Sequence, residues 1–187
     1  MLKKIETPIP DLFILEPKVF NDERGFFFES YSEINYEDVG IKEKFVQDNI
    51  SKSNYGTIRG LHYQVGKFEQ GKLCQVILGK VLDVAVDIRY GSPTFGKSFA
   101  VELSAEKHNQ LWIPQGFAHG FSVLSEEAIF LYKCTNTYNK ESERCIVYND
   151  EDLSINWQVK NPIISSKDIL GNSFNSIKKD FKFNNKL

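Results

Sequence analysis

The stretch that decides the fold class is QVILGKVLDVAVDIR, residues 75–89. Two apolar runs flank Gly79-Lys80, which is typical of two strands joined by a tight turn. In the second run Val84, Val86 and Ile88 fall on one face, because successive side chains of a strand point to opposite sides. This period of two predicts a half-buried β-strand.

Further short strands follow along the chain. Predicted strands cover residues 99–103, 111–114, 119–124 and 128–134, and Gly, Pro, Asn or Ser turns separate them. A series of short strands without long helices between them is typical of an all-β sandwich or barrel. The 15 Phe, 8 Tyr and 2 Trp residues suit the core of such a fold.

Helices are expected to be few and short. Residues 33–39 and 104–109 have the pattern of short helices. The segment 152–181 is mixed and polar, and within it Ile169-Leu170 is expected to pack with Trp157 as a small helical lid.

Length, composition and charge restrict the class of protein. The 187 residues suit one domain over 1–187, and residues from about 175 to 187 are expected to fray. A net charge of −2 argues against binding to nucleic acid or an anionic membrane, since phosphate binding needs a basic excess. No apolar segment approaches the ~20 residues of a membrane span. Three cysteines form no disulfide framework and suit a reducing compartment, so we expect a cytoplasmic protein.

Histidines are few: His62, His108 and His119. A metal centre in a β-fold needs several His, Cys or carboxylate ligands at suitable spacing. No two of these histidines lie close in sequence, although distant residues can converge in a fold. The sequence therefore predicts no metal site.

Candidate chemistry centres on the segment around His62. It follows Arg59-Gly60, and an arginine beside a histidine in a tight turn can clamp an anion next to a group that transfers protons. A hydrogen-bonded structural histidine is the alternative. Tyr132 and Lys72 have equally plain alternatives, a core tyrosine and a surface lysine. Taken singly, these residues leave both interpretations open.

Three consecutive phenylalanines, Phe26, Phe27 and Phe28, mark the N-terminal region. On a strand they cannot all point inward, so Phe27 should face opposite to its two neighbours. An aromatic side chain displayed in this way could cover a second subunit or the flat ring of a ligand.

A set of motifs runs in order through about residues 5–172, nearly the whole chain. The motifs are DERGFFFE (22–29), QDN (47–49) with Ser51 and Ser53, RGLHYQ (59–64), GKL (71–73), DVAVDIR (83–89) with GSPTFG (91–96), IPQGFAHGF (113–121), YKCT (132–135) and SSKD (165–168). In this order and at these separations, the chain resembles the dTDP-4-dehydrorhamnose 3,5-epimerase family of nucleotide-sugar epimerases.

The resemblance implies a fold, an assembly and a reaction. The implied fold is a cupin-type jelly roll, which agrees with the strand pattern, and no metal or organic cofactor is implied. The implied assembly is a homodimer whose N-terminal strands extend into the partner's sheet. The implied reaction inverts C3 and C5 of dTDP-4-dehydro-6-deoxy-D-glucose to give dTDP-4-dehydro-L-rhamnose, for dTDP-L-rhamnose and surface-polysaccharide synthesis.

The resemblance also implies four catalytic residues. A C4 ketone acidifies the protons on its neighbouring carbons, and inversion needs a base on one face and an acid on the other. His62 would be the base and Asp168 would fix its tautomer. Tyr132 would be the acid, and Lys72 would stabilise the enolate oxygen.

A larger set of residues is implied to bind the substrate. Arg24 and Arg59 would pair with the diphosphate, and Tyr138 would stack on the base. Lys167 stands where the family commonly has an arginine, so the charge is kept but the bidentate fork is lost. The remaining residues of this set are Phe27, Glu29, Gln47, Asp48, Asn49, His119 and Glu143.

Three other functions stay open from the residues. The first is the same chemistry with another task, at C3 or C5 alone or on a GDP-linked 4-keto heptose. The second is a metal cupin such as a dioxygenase or isomerase. The third is a non-catalytic sugar-binding jelly roll, which would need neither a base nor an acid.

Overall fold

The computed structural model describes residues 2–183, and strands dominate them. The strands are, in chain order, β1 (Lys3–Glu6), β2 (Phe13–Glu16), β3 (Phe20–Asp22), β4 (Gly25–Phe27), β5 (Gln47–Asn54), β6 (Thr57–Gln64), β7 (Lys72–Leu78), β8 (Lys80–Asp87), β9 (Arg89–Tyr90), β10 (Ser98–Ser104), β11 (Gln110–Ile113), β12 (Phe117–Val123), β13 (Glu127–Cys134), β14 (Glu143–Cys145), β15 (Ile163–Ile164) and β16 (Phe181–Lys182). The α-helices of the described residues are α1 (Glu33–Asp38) and α2 (Ser166–Ile169), and short 3₁₀ turns cover Gly66–Phe68, Lys140–Ser142 and Phe174–Ser176. The predicted all-β class is confirmed.

Most strands form two sheets that pack face to face. The first has the order β1-β2-β11-β7-β13-β5, and the second has the order β10-β8-β12-β6-β14, with β15 parallel to β6. Side chains of both sheets meet in one core, which includes Val76 and Phe130 from the first sheet and Val81, Ala85 and Phe121 from the second. The arrangement is a β-sandwich.

Strand β8 is buried on both faces. Ala85 belongs to the core between the sheets, whereas Val84 and Val86 pack into a second core with Ile146 and Trp157. The predicted alternation is therefore confirmed, but the prediction that this strand is half-buried is wrong. The chain after β14 covers the outer face of the second sheet. This segment has no periodic pattern of apolar residues, so its packing on the sheet could not be predicted from the sequence.

One predicted helix is confirmed and one is wrong. Helix α1 lies within residues 33–39, but residues 104–109 form the turn between β10 and β11. There the Ser104 N–H donates to Asn109 Oδ1 (3.2 Å), and the Lys107 N–H donates to Ser104 Oγ (3.1 Å). Short polar side chains close the turn instead of capping a helix. No helix within residues 2–183 is long and apolar enough to cross a membrane.

The C-terminal segment carries more regular structure than the sequence predicts. Strand β16 pairs in parallel with β9, and its Phe181 is buried. The prediction that the chain frays from about residue 175 is therefore wrong up to residue 183, and residues 184–187 lie outside the described part.

The predicted packing of Ile169 and Leu170 on Trp157 is also wrong. Helix α2 does form, but Ile169 and Leu170 are 56% and 82% exposed and do not pack on Trp157. Trp157 is instead buried in the second core, where its Nε1–H donates to the Tyr148 carbonyl oxygen (2.7 Å).

Candidate active site

A cavity of about 810 Å³ opens between the two sheets. The first sheet contributes side chains from β5, β7 and β13, and the second from β6, β12 and β14. Helix α2 adds Lys167 and Asp168. A cavity of this volume accommodates a small organic ligand, with its polar groups fixing the orientation.

His62 on β6 faces the cavity and is held by Asp168. His62 Nε2 lies 2.7 Å from Asp168 Oδ1, and the Gly60 N–H donates to Asp168 Oδ2 (3.3 Å). Burial by itself raises the pKa of Asp168, but hydrogen bonds from His62, Gly60 and Ser165 outweigh it and lower that pKa. Asp168 is therefore a carboxylate at neutral pH. It fixes the proton on His62 Nε2 and leaves Nδ1 to accept another.

The local sequence around α2 explains how Asp168 reaches His62 across 106 residues. Ile163 and Ile164 pair in parallel with Thr57 and Ile58, which places this segment alongside β6. Ser165 then begins the helix, because its Oγ accepts the Asp168 N–H (3.2 Å). The N-cap thus turns Asp168 toward the histidine.

Two glycines let β6 and β12 approach closely beside the histidines. A Cβ on Gly60 would lie 2.4 Å from Gly120 Cα, and the φ of Gly60 is +126°. His119 is the register partner of His62, and the pairing shifts between His119 and Phe121. The fold therefore brings together two histidines that are far apart in sequence.

Lys72 is buried next to these histidines and is not a surface lysine. Its Nζ lies 3.4 Å from the His62 carbonyl oxygen and 3.5 Å from His119 Nδ1. The other ring nitrogen of His119, Nε2, lies 2.7 Å from Asp83 Oδ1. Burial lowers the pKa of His119, and Asp83 only partly offsets this, so the imidazole is neutral at pH 7.

Tyr132 extends from β13, on the sheet opposite to His62, and lines the same cavity. Burial, followed by the thiols of Cys134 and Cys74, raises the pKa of Tyr132 to about 12. The phenol therefore keeps its proton at neutral pH. Lys72 Nζ lies 5.9 Å from the centre of the Tyr132 ring, so the two groups share one end of the cavity.

A second group of polar residues lies around Tyr138. Its hydroxyl donates to Glu143 Oε2 (2.9 Å), and Lys167 Nζ contacts the other Glu143 oxygen. Burial alone raises the pKa of Glu143, but the hydrogen bonds from Lys167 and Tyr138 lower it overall. Gln47 accepts the Tyr138 N–H (2.9 Å), and half of the Tyr138 ring is exposed. The Tyr138 side chain is thus held through its hydroxyl and its backbone N–H, while about half of the residue stays accessible.

Most predicted site residues line the cavity, and four do not. Those that line it are Gln47, Asn49, Arg59, His62, Lys72, His119, Tyr132, Tyr138, Glu143, Lys167 and Asp168. Asp48 lies outside because side chains alternate along β5, and its carboxylate pairs instead with Lys133 Nζ (2.9 Å) on the outer face. The other three, Arg24, Phe27 and Glu29, lie in the N-terminal hairpin and just after it.

The hairpin of β3 and β4 displays its aromatic residues as the alternation predicts. Phe26 and Phe28 both pack on the ring of His108, with ring centres 4.5 Å and 4.8 Å away. Phe27 points elsewhere and is 70% exposed, and the side chain of Arg24 is 86% exposed. None of these residues touches the cavity of its own chain.

Sequence reasoning missed three residues that organise the site. Gln64 accepts the Asn139 N–H (2.6 Å) and so holds the loop that carries Tyr138. Ser53 accepts a hydrogen bond from Arg59 Nε (3.0 Å). Asp83 is fully buried beside His119. Asp83 begins the motif DVAVDIR, and a carboxylate within an apolar strand is a further signal that singles it out.

Two clusters of potential metal ligands occur within residues 2–183. One contains His62, Asp168 and Cys145, and the other contains His119, Asp83 and Cys74. In each cluster the histidine and the carboxylate are hydrogen-bonded to each other. The absence of a metal requirement therefore stays a prediction, which chelation can test.

The cavity thus holds a histidine bound to a carboxylate, a protonated tyrosine from the opposite sheet and a lysine close to both. Groups of these types are the ones that general acid–base chemistry requires. The chain matches the dTDP-4-dehydrorhamnose 3,5-epimerase family over residues 6–176. The Shigella flexneri enzyme of that name is 58% identical over 171 residues, covering 91% of this chain and 94% of the relative. The Pseudomonas aeruginosa enzyme is 53% identical, covering 92% and 96%.

A solved structure of an epimerase is also similar to this chain. The crystal structure of dTDP-6-deoxy-D-glucose-3,5-epimerase from Legionella pneumophila, in complex with dTDP-4-keto-L-rhamnose, is 49% identical with a TM-score of 0.95. The alignment covers 98% of this chain and all of the other. The chain belongs to the dTDP-4-dehydrorhamnose 3,5-epimerase family and is an isomerase.

Proposed function

We propose that this chain inverts C3 and C5 of dTDP-4-dehydro-6-deoxy-D-glucose and forms dTDP-4-dehydro-L-rhamnose, for dTDP-L-rhamnose synthesis. The observation that carries this proposal is the pair His62 and Tyr132, which face one cavity from opposite sheets. Inverting a carbon next to a ketone needs a proton acceptor on one side of the sugar ring and a proton donor on the other. The sandwich supplies one from each sheet.

His62 acts as the base through Nδ1, because Nε2 is committed to Asp168. When His62 removes a proton beside the C4 ketone, the two bonding electrons form an enolate and the imidazole becomes a cation. Asp168 stabilises that cation, since its lowered pKa keeps it ionised.

Tyr132 returns a proton to the opposite face of the enolate and becomes a phenolate. His62 then releases its proton to solvent and Tyr132 takes one from solvent, which restores both groups before the next inversion. A phenol whose pKa is about 12 holds its proton in the resting enzyme. Lys72 donates to the enolate oxygen while charge builds up there. Each proton transfer contributes about 10²–10⁴ in rate.

The nucleotide half of the substrate binds around Tyr138, whose half-exposed aromatic side chain lines the cavity and is accessible for stacking. Arg59 and Lys167 line the cavity and supply positive charge for the diphosphate, while Glu143 holds both Lys167 and Tyr138 in place. Gln47, Asn49 and His119 complete the polar lining. This local charge steers an anionic substrate into a protein whose net charge is −2.

The active form is a homodimer built through the N-terminal strands. Strands β1 and β5 are the two edges of the first sheet, and unpaired edges invite strand addition. The hairpin of β3 and β4, which follows β2 in the chain, exposes Phe20, Phe26 and Phe27, a patch that a second copy would cover. Arg24, Phe27 and Glu29, which their own chain leaves outside its cavity, would serve the cavity of the partner.

The reaction belongs in the cytoplasm. The support is the state of Cys74, Cys134 and Cys145, which are all free and buried, as suits a reducing compartment.

The test is to incubate the protein with dTDP-4-dehydro-6-deoxy-D-glucose in deuterated buffer and follow the sugar by NMR. We expect deuterium at C3 and at C5 and a product of the L-rhamno configuration. Deuterium at only one carbon would assign a mono-epimerase. Turnover of GDP-linked 4-keto sugars alone, or no exchange at all, would refute the proposal.

A further inference from the structure

Asp83 is a fully buried carboxylate whose geometry the reaction described above does not use. Its Oδ1 lies 2.7 Å from His119 Nε2. Its Oδ2 is buried and has no hydrogen-bond partner among the described residues. Burying a carboxylate with an unpaired oxygen is costly, so its presence beside the site calls for a functional reason.

The hydrogen-bond pattern fixes the proton on His119. A carboxylate only accepts hydrogen bonds, so His119 Nε2 must carry the N–H that faces Asp83. Burial lowers the pKa of His119 and keeps the imidazole neutral, and a neutral imidazole has only one N–H. His119 Nδ1 is therefore a bare acceptor, and it lies 3.5 Å from Lys72 Nζ.

The same pattern orients the Lys72 ammonium group. An ammonium has three N–H donors and no acceptor. Two of them are directed at protein acceptors, namely His119 Nδ1 and the His62 carbonyl oxygen at 3.4 Å. The third remains for the cavity that Lys72 lines. If His119 carried its proton on Nδ1 instead, a donor would face a donor and Lys72 would be displaced.

We propose that Asp83 is a positioning residue, which fixes the tautomer of His119 so that His119 aims Lys72 at the enolate oxygen. The inference rests on the proposed function, because the enolate is the intermediate of that reaction. Cys74 cannot replace Asp83 in this role. Its Sγ lies 3.8 Å from His119 Nε2, and burial raises the pKa of the thiol well above its usual range, so it carries no charge.

The tautomer is measured directly in the unmodified protein. With only three histidines, ¹⁵N-histidine labelling and NMR resolve each ring, and His119→Asn assigns the signal. We expect the neutral Nε2–H form of His119 at pH 7. The Nδ1–H form or an imidazolium would overturn the proposal. In Asp83→Asn the amide can donate to Nε2, so the Nδ1–H form should become populated.

The link to Lys72 is tested by combining substitutions. We expect Lys72→Met to lower kcat by about 10²–10³, the effect of losing one oxyanion donor. Asp83→Asn should lower kcat by about 10-fold or more and change KM by less than about 3-fold, since it acts on the transition state. In the Lys72→Met background, Asp83→Asn should change kcat by less than about 3-fold. If the reductions of kcat by Asp83→Asn and by Lys72→Met instead multiply in the double variant, the proposal is contradicted.

Asp87 offers a matched control, because it is an equally buried aspartate on the same strand. Its carboxylate accepts hydrogen bonds from Arg89, Ser92 and Thr94, and it lies away from the cavity. Asp87→Asn should lower the melting temperature, and any small effect on kcat should multiply with that of Lys72→Met.

The proposed function and the proposed role of Asp83 fail in different ways. If the function is wrong, the unmodified protein shows no exchange with its substrate. If the role of Asp83 is wrong, the unmodified protein turns over normally while His119 holds the other tautomer or the two substitutions act independently.

Discussion

Replacing Tyr132 by Phe separates the two proton transfers of an inversion. The change removes one hydroxyl group, and that hydroxyl makes no hydrogen bond to the described residues. No buried partner is left unpaired, so the free energy of unfolding should change by less than about 1 kcal/mol. The ring keeps its place against Phe130 and His119.

The effect on the reaction should be large. Losing a general acid costs about 10²–10⁴ in rate, which is about 3–5 kcal/mol at 1.36 kcal/mol per factor of ten. The base and its partner, His62 and Asp168, are untouched. In deuterated buffer we therefore expect deuterium still to enter from the His62 face with retained configuration, while inverted C5 product forms at least ~10²-fold more slowly.

Tyr36→Phe is the matched control for removing a buried phenol. The Tyr36 hydroxyl lies 2.7 Å from Gln110 Oε1 and 2.8 Å from the Ser30 carbonyl oxygen, and it lies away from the cavity. This variant should lose about 1–3 kcal/mol of stability and keep its turnover. If Tyr132→Phe forms inverted product as fast as the unmodified protein, another group is the acid and Tyr132 is a core residue.

Three further predictions concern metal, assembly and pH. Prolonged chelation should leave turnover intact, and loss of activity that one divalent metal restores would contradict this. Removing residues 1–20 should yield monomer or aggregate in light scattering, whereas a soluble, active monomer would refute a dimer built through the N-terminal strands. The Asp168 pKa is lowered in the folded protein, so the stability it provides is fully present above its ordinary value of about 3.9 and disappears as pH falls through the lowered value. Asp168→Asn should therefore weaken the acid-dependent loss of stability in urea unfolding, and an unchanged pH profile would disprove this linkage.

The strands could be predicted because their signal is local. In β8 the alternation of Val84 and Val86 with Ala85 follows directly from the pleat of a strand. What covers the outer face could not be predicted, since the segment that contains Trp157 has no period and is placed by tertiary packing. The prediction of a helix over residues 104–109 was wrong for a related reason. The same short polar side chains cap helices and close turns.

The residues of the candidate site also fall into those that local sequence motifs predicted and those that only the fold reveals. Motifs of adjacent residues located His62 and Lys72, and the structure places both in one cavity. Asp83 acts on a partner that lies 36 residues away, so only the fold reveals the contact. Arg24 and Phe27 match the motif yet lie outside the cavity of their own chain. The alternation of the three phenylalanines predicted that Phe27 faces away from its neighbours, but not whether it meets a ligand or a second subunit.

The most direct test of the central claim is deuterium entry into the substrate with His62→Asn, compared with the unmodified protein. The claim is that one histidine, oriented by Asp168, removes the protons at both carbons. We predict that His62→Asn keeps its fold and its affinity for dTDP but admits no deuterium at C3 or C5. Exchange at either carbon at close to the unmodified rate would contradict the account.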